Sequence, residues 1–250
     1  AVSGPFVRAM ERLEGDDDVK AVVLRINSPG GSALASDRMW AAARDLAEVK
    51  PLIASVGDMA ASGAYYIASA ADEILAHPNS LVGSIGVVGG KLNIAPLTEK
   101  LGVSTIVLQR GARAAWSTPV RGLNGTERQA FEMLLRDTYE RFIDRVATGR
   151  EMERDAVLTA AEGRVMTGQD GKALGLIDQM GGLSEALEQA RAAAGLGPES
   201  AVELWPSTKG VIDTINDLLS GNGEDGARTL ERALIRRHPV AASLPLEPWA

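Results

Sequence analysis

The pattern of apolar and polar positions changes along the chain between continuous apolar runs and helical spacing. The runs at 21–26 and 52–56 consist mainly of Ala, Val, Leu and Ile, which is typical of buried strands in parallel sheets. Strands that alternate with helices predict an α/β fold whose strands are mostly parallel. The predicted strands lie at 21–26, 52–56, 73–76, 104–108 and 176–178. The predicted helices lie at 4–13, 32–49, 94–102, 127–147, 152–162 and 183–194, with shorter ones opening near 60 and 169.

The stretch 51–71 organises the chain, because a serine stands at its strand-to-helix turn. Gly57 and Asp58 are expected to break the strand, and the small residues of 60–63 are expected to open a helix. Ser62, flanked by side chains too small to crowd it, can present its hydroxyl to a substrate, and the N–H groups of the helix N-terminus could stabilise an oxyanion. The alternative is that Ser62 only caps the helix.

A second turn follows the strand at 21–26 and contains two adjacent glycines, Gly30 and Gly31. A Gly-Gly loop between a strand and a helix lets the backbone approach a ligand closely. The alternative is a tight turn in which Ser32 caps the following helix.

The helix predicted at 127–147 places large apolar side chains on one face, which indicates a core or subunit contact. After Trp205–Pro206 the composition shifts, so we expect a main domain over 1–205 and a helical extension with a loose tail over 206–250. The apolar face carries Phe131, Leu134, Leu135, Tyr139, Phe142, Ile143 and Val146.

Composition narrows the class of protein. The net charge of −7 gives no basic surface, so nucleic acid is not an expected partner. The chain has no cysteine, which removes disulfides and thiolate metal sites. No apolar run is long enough to span a bilayer. Because the chain lacks an initiator methionine, we expect a fragment, a processed product or an excised domain, whose anchor could lie elsewhere.

A nucleophilic serine needs a general base, and the residues alone do not identify one. The only histidines, His77 and His238, are expected at the surface. No His/Asp/Glu cluster has the spacing of metal ligands, which disfavours metal hydrolysis. Most of the six lysines lie at the ends of predicted elements, where a solvated lysine is usual.

Four blocks, in the same order, closely resemble the signal peptide peptidase A family. The resemblance covers roughly residues 5–195 and implies a crotonase/Clp-protease-like α/β fold with repeated β-β-α units. It also implies a serine peptidase that uses a lysine as general base and needs no cofactor or metal. The blocks are 21–32 (AVVLRINSPGGS), 57–67 (GDMAASGAYYI), 81–87 (LVGSIGV) and 163–178 (GRVMTGQDGKALGLID).

Site roles follow from this resemblance position by position. Ser62 matches the nucleophile, and Gly31 and Gly63 match the residues whose N–H groups form the oxyanion hole. The substrate is expected to lie extended between the Gly30–Gly31 loop and the Gly83–Gly90 segment, pairing through backbone hydrogen bonds. The substrate-binding residues implied are Gly30, Gly83, Ser84 and Ile85.

The lysine does not carry over. Single-domain members have it in a Gly-Ala-x-Lys block, and here Ala114 occupies that position. Arg113 cannot replace it, because a guanidinium is effectively never deprotonated. Long members contain two tandem repeats, the first with the lysine and the second with the serine, and this chain resembles the second. We therefore expect the base from an upstream repeat or a neighbouring subunit.

The resemblance further implies signal-peptide substrates, a homo-oligomer, and a place at the periplasmic face of the bacterial inner membrane. Two other readings stay open. The same fold could serve a crotonase-type acyl-CoA hydratase or hydrolase, which would leave Ser62 unexplained. Alternatively, the chain is a catalytically incomplete half whose role is assembly, with the helix at 127–147 as its contact.

Overall fold

Six strands form one sheet in the computed structural model, which describes residues 3–205. The strands are β1 (Val22–Ser28), β2 (Leu52–Ala61), β3 (Glu73–Ala76), β4 (Leu81–Gly83), β5 (Val165–Thr167) and β6 (Gln179–Met180). The helices are α1 (Ser3–Gly15), α2 (Ala33–Ala47), α3 (Gly63–Ala68), α4 (Ala95–Lys100), α5 (Gly125–Gly149), α6 (Arg154–Ala160), α7 (Gly168–Ala173) and α8 (Leu183–Ala193).

The sheet is mostly parallel and curls into a half-barrel, with helices packed around it. Its order is β5-β4-β2-β3-β6, and β1 pairs with β2. Only the β4–β5 pair is antiparallel. This architecture confirms the expected α/β class of the crotonase/Clp-protease type.

Strand β2 is the centre of the sheet, because three strands pair with it. Its first half pairs with β3 and its last residues, Met59 to Ala61, pair with β4. The predicted strand break at Gly57 and Asp58 is wrong, as is the helix opening at 60, because β2 continues to Ala61. The reason lies in β1: the side chain of Asn27 accepts a hydrogen bond from the Met59 N–H and bridges the irregular step.

The core forms where α2, α3 and the last turns of α5 cover the sheet. Tyr66 of α3 stacks on Phe142 of α5, with ring centroids 4.5 Å apart. Trp40 of α2 is buried beside them and donates a hydrogen bond to Ser69 Oγ. The predicted apolar face of α5 is buried only towards its C-terminal end, since Leu134 is exposed. Its buried apolar residues are Phe142, Ile143 and Val146.

Two other sequence predictions are corrected. Residues 104–108 do not form a strand, and Ile106 and Leu108 are 85% and 92% exposed. The apolar residues at 106–108 fit a strand, but a strand needs a neighbour, and none in the described residues pairs with this segment. The strand predicted at 176–178 is also misplaced, because β6 comes later, at Gln179–Met180.

All these elements lie in one compact unit, Ala1–Ser200. Within residues 3–205, no helix is both long and apolar enough to cross a membrane. The helical extension predicted for 206–250 and the histidine at 238 lie outside the described residues, so those interpretations remain predictions.

Candidate active site

Ser62 lies at the turn between β2 and α3 in an unusual backbone conformation. Its φ is 51° and its ψ −123°, a region that L residues rarely occupy. The turn is held on both sides, because the Ser62 N–H donates to Gly83 O (2.8 Å) and the Ser62 carbonyl accepts from the Tyr66 N–H (2.9 Å). Such strained residues persist only where their surroundings fix them, and they cluster at active sites.

The hydroxyl of Ser62 is not used as a helix cap. Ser62 is the N-cap residue of α3, but its side chain makes no capping hydrogen bond. Ser32, at the start of α2, does cap its helix by accepting from the Ala35 N–H. The capping alternative is therefore right for Ser32 and wrong for Ser62, whose half-buried hydroxyl is left for another partner.

Gly30 packs directly against the Ser62 turn. Its φ is 106°, and a Cβ there would lie 2.7 Å from Gly63 N, 2.8 Å from Ala61 O and 2.9 Å from Ser62 Cβ. These distances are too short for real contacts, so only glycine lets the two turns meet. The Gly30 N–H donates to Ser28 Oγ (3.1 Å), which fixes the loop from its other side.

Gly31 and Gly63 bring two free backbone donors together. The position of a Cβ on Gly63 would be 3.1 Å from Gly31 N and would overlap Ser36 Oγ. Among residues 3–205, neither the Gly31 N–H nor the Gly63 N–H donates a hydrogen bond to the protein. Unbonded N–H groups next to a serine hydroxyl are the arrangement that stabilises an oxyanion.

The segment after β4 supplies the third wall. Gly83 lies beside Ser62 through the hydrogen bond from the Ser62 N–H. Ser84, with a φ of 52°, donates its N–H to Arg164 O (2.7 Å), and the Ile85 carbonyl accepts from the Gly163 N–H (2.9 Å). The Ile85 side chain is fully buried. Gly83, Ser84 and Ile85 were predicted to bind the substrate. In the fold, the Gly83 carbonyl, the Ser84 N–H and the Ile85 carbonyl already form hydrogen bonds within the protein.

No lysine or histidine among the described residues forms a hydrogen bond with Ser62. Ala114 is exposed and lies in a turn, where its own N–H donates a hydrogen bond to Gly111 O. Lys50 instead donates hydrogen bonds to the carbonyls of Leu13 and Asp16, at the C-terminal end of α1 and just after it.

His77 and Lys91 lie in other surroundings. The exposed His77 packs on Gly182, where a Cβ would lie 2.8 Å from His77 Nε2. Lys91 has a buried Nζ with no hydrogen-bond partner among the described residues. Its charge helps to lower the pKa of Glu127, so it lies near that carboxylate.

Glu127 anchors the loop that contains Ala114. It is 1% exposed, accepts two hydrogen bonds from Arg121 (2.6 and 2.7 Å) and one from the Asn124 N–H. The bonds from Arg121, followed by the one from Asn124, lower the pKa of Glu127 to about 2. The carboxylate therefore stays ionised and structural across the physiological range.

The described residues contain no group of three or more His, Cys, Asp or Glu side chains placed to hold a metal ion. At the Ser62 turn, a serine hydroxyl lies beside two backbone donors. This arrangement suits attack on a carbonyl carbon, and the oxygen of that carbonyl would face Gly31 and Gly63.

Comparison with known proteins agrees with this geometry. The model of peptidase family S49 matches residues 44–197, which include Ser62, β4 and the segment that begins at Gly163. The chain belongs to peptidase family S49. Several relatives similar to it bear protease names. The chloroplastic serine protease SPPA of Arabidopsis thaliana is 43% identical over 89% of this chain. A protein of Enterococcus faecium named "Putative signal peptide peptidase SppA" is 32% identical over 82%, and Protease 4 of Haemophilus influenzae is 34% identical over 79%.

These S49 relatives are longer than the region they share with this chain. The chain covers 33% of the Arabidopsis protein, 60% of the Enterococcus protein and 32% of the Haemophilus protein. It therefore spans between about a third and three fifths of the length of these relatives.

Sequence reasoning missed two polar residues at this candidate site. Ser36 lies buried against Gly63, and its Oγ donates to Ser32 O (3.0 Å). Asn27 links β1 to β2 just before the Ser62 turn. For Ser36, a signal was its position four residues after a capping serine, on the buried side of α2. For Asn27 there was none, because its partners are some thirty residues away.

Proposed function

We propose that this chain carries the nucleophile of a serine peptidase, with Ser62 as that nucleophile. The observation that carries the proposal is the free hydroxyl of Ser62, on a strained turn beside the unbonded N–H groups of Gly31 and Gly63. Membership of family S49 supports the reaction class.

In the proposed reaction, Ser62 Oγ attacks the carbonyl carbon of the scissile peptide bond while a general base takes its proton. The carbonyl oxygen becomes an oxyanion, and the N–H groups of Gly31 and Gly63 donate to it. The base then returns the proton to the leaving amine, and water hydrolyses the acyl-enzyme. Removing one such donor typically costs about a hundredfold or more in kcat.

We further propose that the base is a lysine supplied from outside this chain. Ala114 occupies the position of the lysine in single-domain members, and no described lysine is bonded to Ser62. Protease 4 and the chloroplastic relative are about three times as long as the shared region, which leaves room for a second repeat. The source proposed is that upstream repeat, or a neighbouring subunit.

Peptides are the proposed substrates, and cleaved signal peptides the specific class, in line with the name of the Enterococcus relative. The chain of the substrate would run between Gly30 and the segment Gly83–Ile85, which flank Ser62. The place proposed is the periplasmic face of the bacterial inner membrane, where such peptides remain after cleavage.

We propose that residues 88–134 form the contact of a homo-oligomer or of a pairing with the upstream repeat. Ten large apolar side chains of this region are exposed, and large exposed apolar patches mark interaction sites. Replacing Leu134 with Glu should shift the molar mass in light scattering to the monomer, whereas Glu132→Gln on the same helix should not. The exposed members are Val88, Leu92, Leu97, Leu101, Val103, Ile106, Leu108, Trp116, Met133 and Leu134.

Covalent labelling tests the nucleophile. In this chain joined to the upstream sequence proposed to supply the base, a fluorophosphonate should add to one serine. Peptide mapping should place it on Ser62 rather than on Ser84, which has a similar φ. The Ser62→Ala variant should not be labelled, whereas the Ser84→Ala variant should be labelled to the same extent as the wild type. Hydrolysis of an acyl-CoA thioester that survives Ser62→Ala would favour the crotonase-type alternative. Normal assembly with no hydrolysis by any form would favour the assembly role.

A further inference from the structure

The step in β2 next to the active site is an irregularity in its pairing with β1. Ile26 pairs with Val56, but the next pair is Ser28 with Ala60, so one residue of β1 faces three of β2. Two extra residues in β2 change where the following serine falls relative to the loop after β1. Irregularities of this kind occur next to active sites, where they re-aim a side chain.

Asn27 is the single residue of β1 at this step, and its side chain bonds to two of the three residues opposite. Its Oδ1 accepts from the Met59 N–H (3.1 Å), and its Nδ2 donates to Asp58 Oδ2 (3.1 Å). The side-chain amide of Asn27 therefore replaces the backbone hydrogen-bonding partner that β2 has elsewhere along β1. A Cβ on Gly57 would lie 3.1 Å from Asn27 Cβ and Cγ, so the third residue is packed under the same side chain.

The step is held from the other side of β2 as well. Ser80 Oγ donates to Gly57 O (2.6 Å), just before β4 begins. Gly57 is also where the partner of β2 changes from β3 to β4. The irregular step is thus the junction at which β1 and β4, the two strands leading to the walls of the site, are fixed to β2.

Asn27 and its partner Met59 lie a few residues before the two turns of the site. Gly31 lies four residues after Asn27, and Ser62 lies three residues after Met59. Among the described residues, the two bonds of Asn27 are the last side-chain hydrogen bonds between the two strands before those turns. Any slip of β2 against β1 at this step would move Ser62 relative to the donors at Gly31 and Gly63.

We propose that Asn27 is a positioning residue for Ser62, acting through its paired hydrogen bonds to Met59 and Asp58. The activity part of this proposal rests on the proposed peptidase function, while the structural part does not. Misplacement of reacting groups by about 1 Å can cost on the order of a hundredfold in rate. Because the bonds of Asn27 are solvent-exposed, we expect a loss of about tenfold when they are broken.

The test exchanges the donor and the acceptor of the Asn27–Asp58 pair. Asn27→Asp sets two carboxylates against each other and breaks the bond. Asp58→Asn alone keeps it, because the side chain of Asn27 can donate to the new amide oxygen. The double variant reverses the bond, since the new amide at 58 donates to the new carboxylate at 27, which still accepts from Met59. Gln129→Glu, an amide-to-carboxylate change on an exposed position of α5, is the charge control.

Two readouts separate this proposal from the proposed function. In hydrogen exchange, Asn27→Asp should speed exchange by about tenfold at Met59, Ser62 and Tyr66, whose N–H groups are hydrogen-bonded. Asp58→Asn, the double variant and Gln129→Glu should exchange at the wild-type rate. With each variant joined to the upstream sequence, fluorophosphonate labelling of Ser62 should slow by about tenfold in Asn27→Asp only. Unchanged exchange in Asn27→Asp, or no recovery in the double variant, overturns the proposal. A joined wild type that is never labelled refutes the peptidase function, and the exchange pattern, measured on this chain alone, still decides the role of Asn27.

Discussion

Replacing Gly30 with alanine should damage the protein far more than the same change at the next residue, Gly31. At Gly30 the φ of 106° strains an L residue, which costs about 1–3 kcal/mol. The new Cβ would also lie within 2.9 Å of Gly63 N, Ala61 O and Ser62 Cβ. Backbone atoms cannot move aside cheaply, so this overpacking adds about 1–3 kcal/mol. The sum is a loss of roughly 2–6 kcal/mol in the free energy of unfolding.

Gly31→Ala is the matched control, because a Cβ there meets nothing within 4 Å and its φ is not in the positive range. Urea unfolding followed by circular dichroism measures both variants. With a slope of about 2–3 kcal/mol per M, Gly30→Ala should lower the midpoint by about 1 M or more, while Gly31→Ala should leave it nearly unchanged. A Gly30→Ala midpoint equal to that of the wild type would refute the close approach of the two turns. Equal losses in both variants would also refute it.

Two further predictions concern a carboxylate and the nucleophile itself. Arg121 lowers the pKa of Glu127 from 4.5 to about 2, so its ionised form stabilises the fold above pH 4.5 and that stability is lost as pH falls towards 2. Urea midpoints should therefore show the advantage of the wild type over Glu127→Gln shrinking across this range, and a constant gap would contradict the ion pair. Ser62→Gly should abolish labelling yet raise the free energy of unfolding by about 1 kcal/mol, because glycine tolerates a φ of 51°. Ser84→Gly, at a φ of 52°, should stabilise similarly and keep labelling, and a Ser62→Gly variant less stable than the wild type would argue against strain at the turn.

Local patterns predicted β1, β3, the first half of β2, the helices and the serine turn, but not β4 or β5. The apolar runs became β1 and β2, and the small residues around Ser62 allowed the turn to pack against Gly30. These features depend on neighbours in sequence, which the chain itself displays. The sequence could not show that the Ser62 hydroxyl is free, because a capping serine and a nucleophilic serine look alike in sequence. They differ only in the hydrogen bonds of the side chain.

Features set by distant partners escaped the sequence. The path of β2 through Gly57 depends on Asn27, which no local pattern connects to it. The segment 104–108 was predicted as a strand, but a strand forms only beside a partner, and the described residues offer none there. The apolar face of α5 was correctly placed on one side, yet only its last turns reach the core.

The most direct test of the account measures cleavage of a fluorogenic leucine-rich peptide by three proteins. They are this chain, its Ala114→Lys variant, and this chain joined to the sequence that precedes it in the gene. The account predicts that the joined form cleaves the peptide, that Ser62→Ala in that form abolishes cleavage, and that this chain alone is nearly inactive. Cleavage by Ala114→Lys would add that the ancestral lysine pocket still forms here. Full activity of this chain alone would contradict the account, because the base would then lie within it.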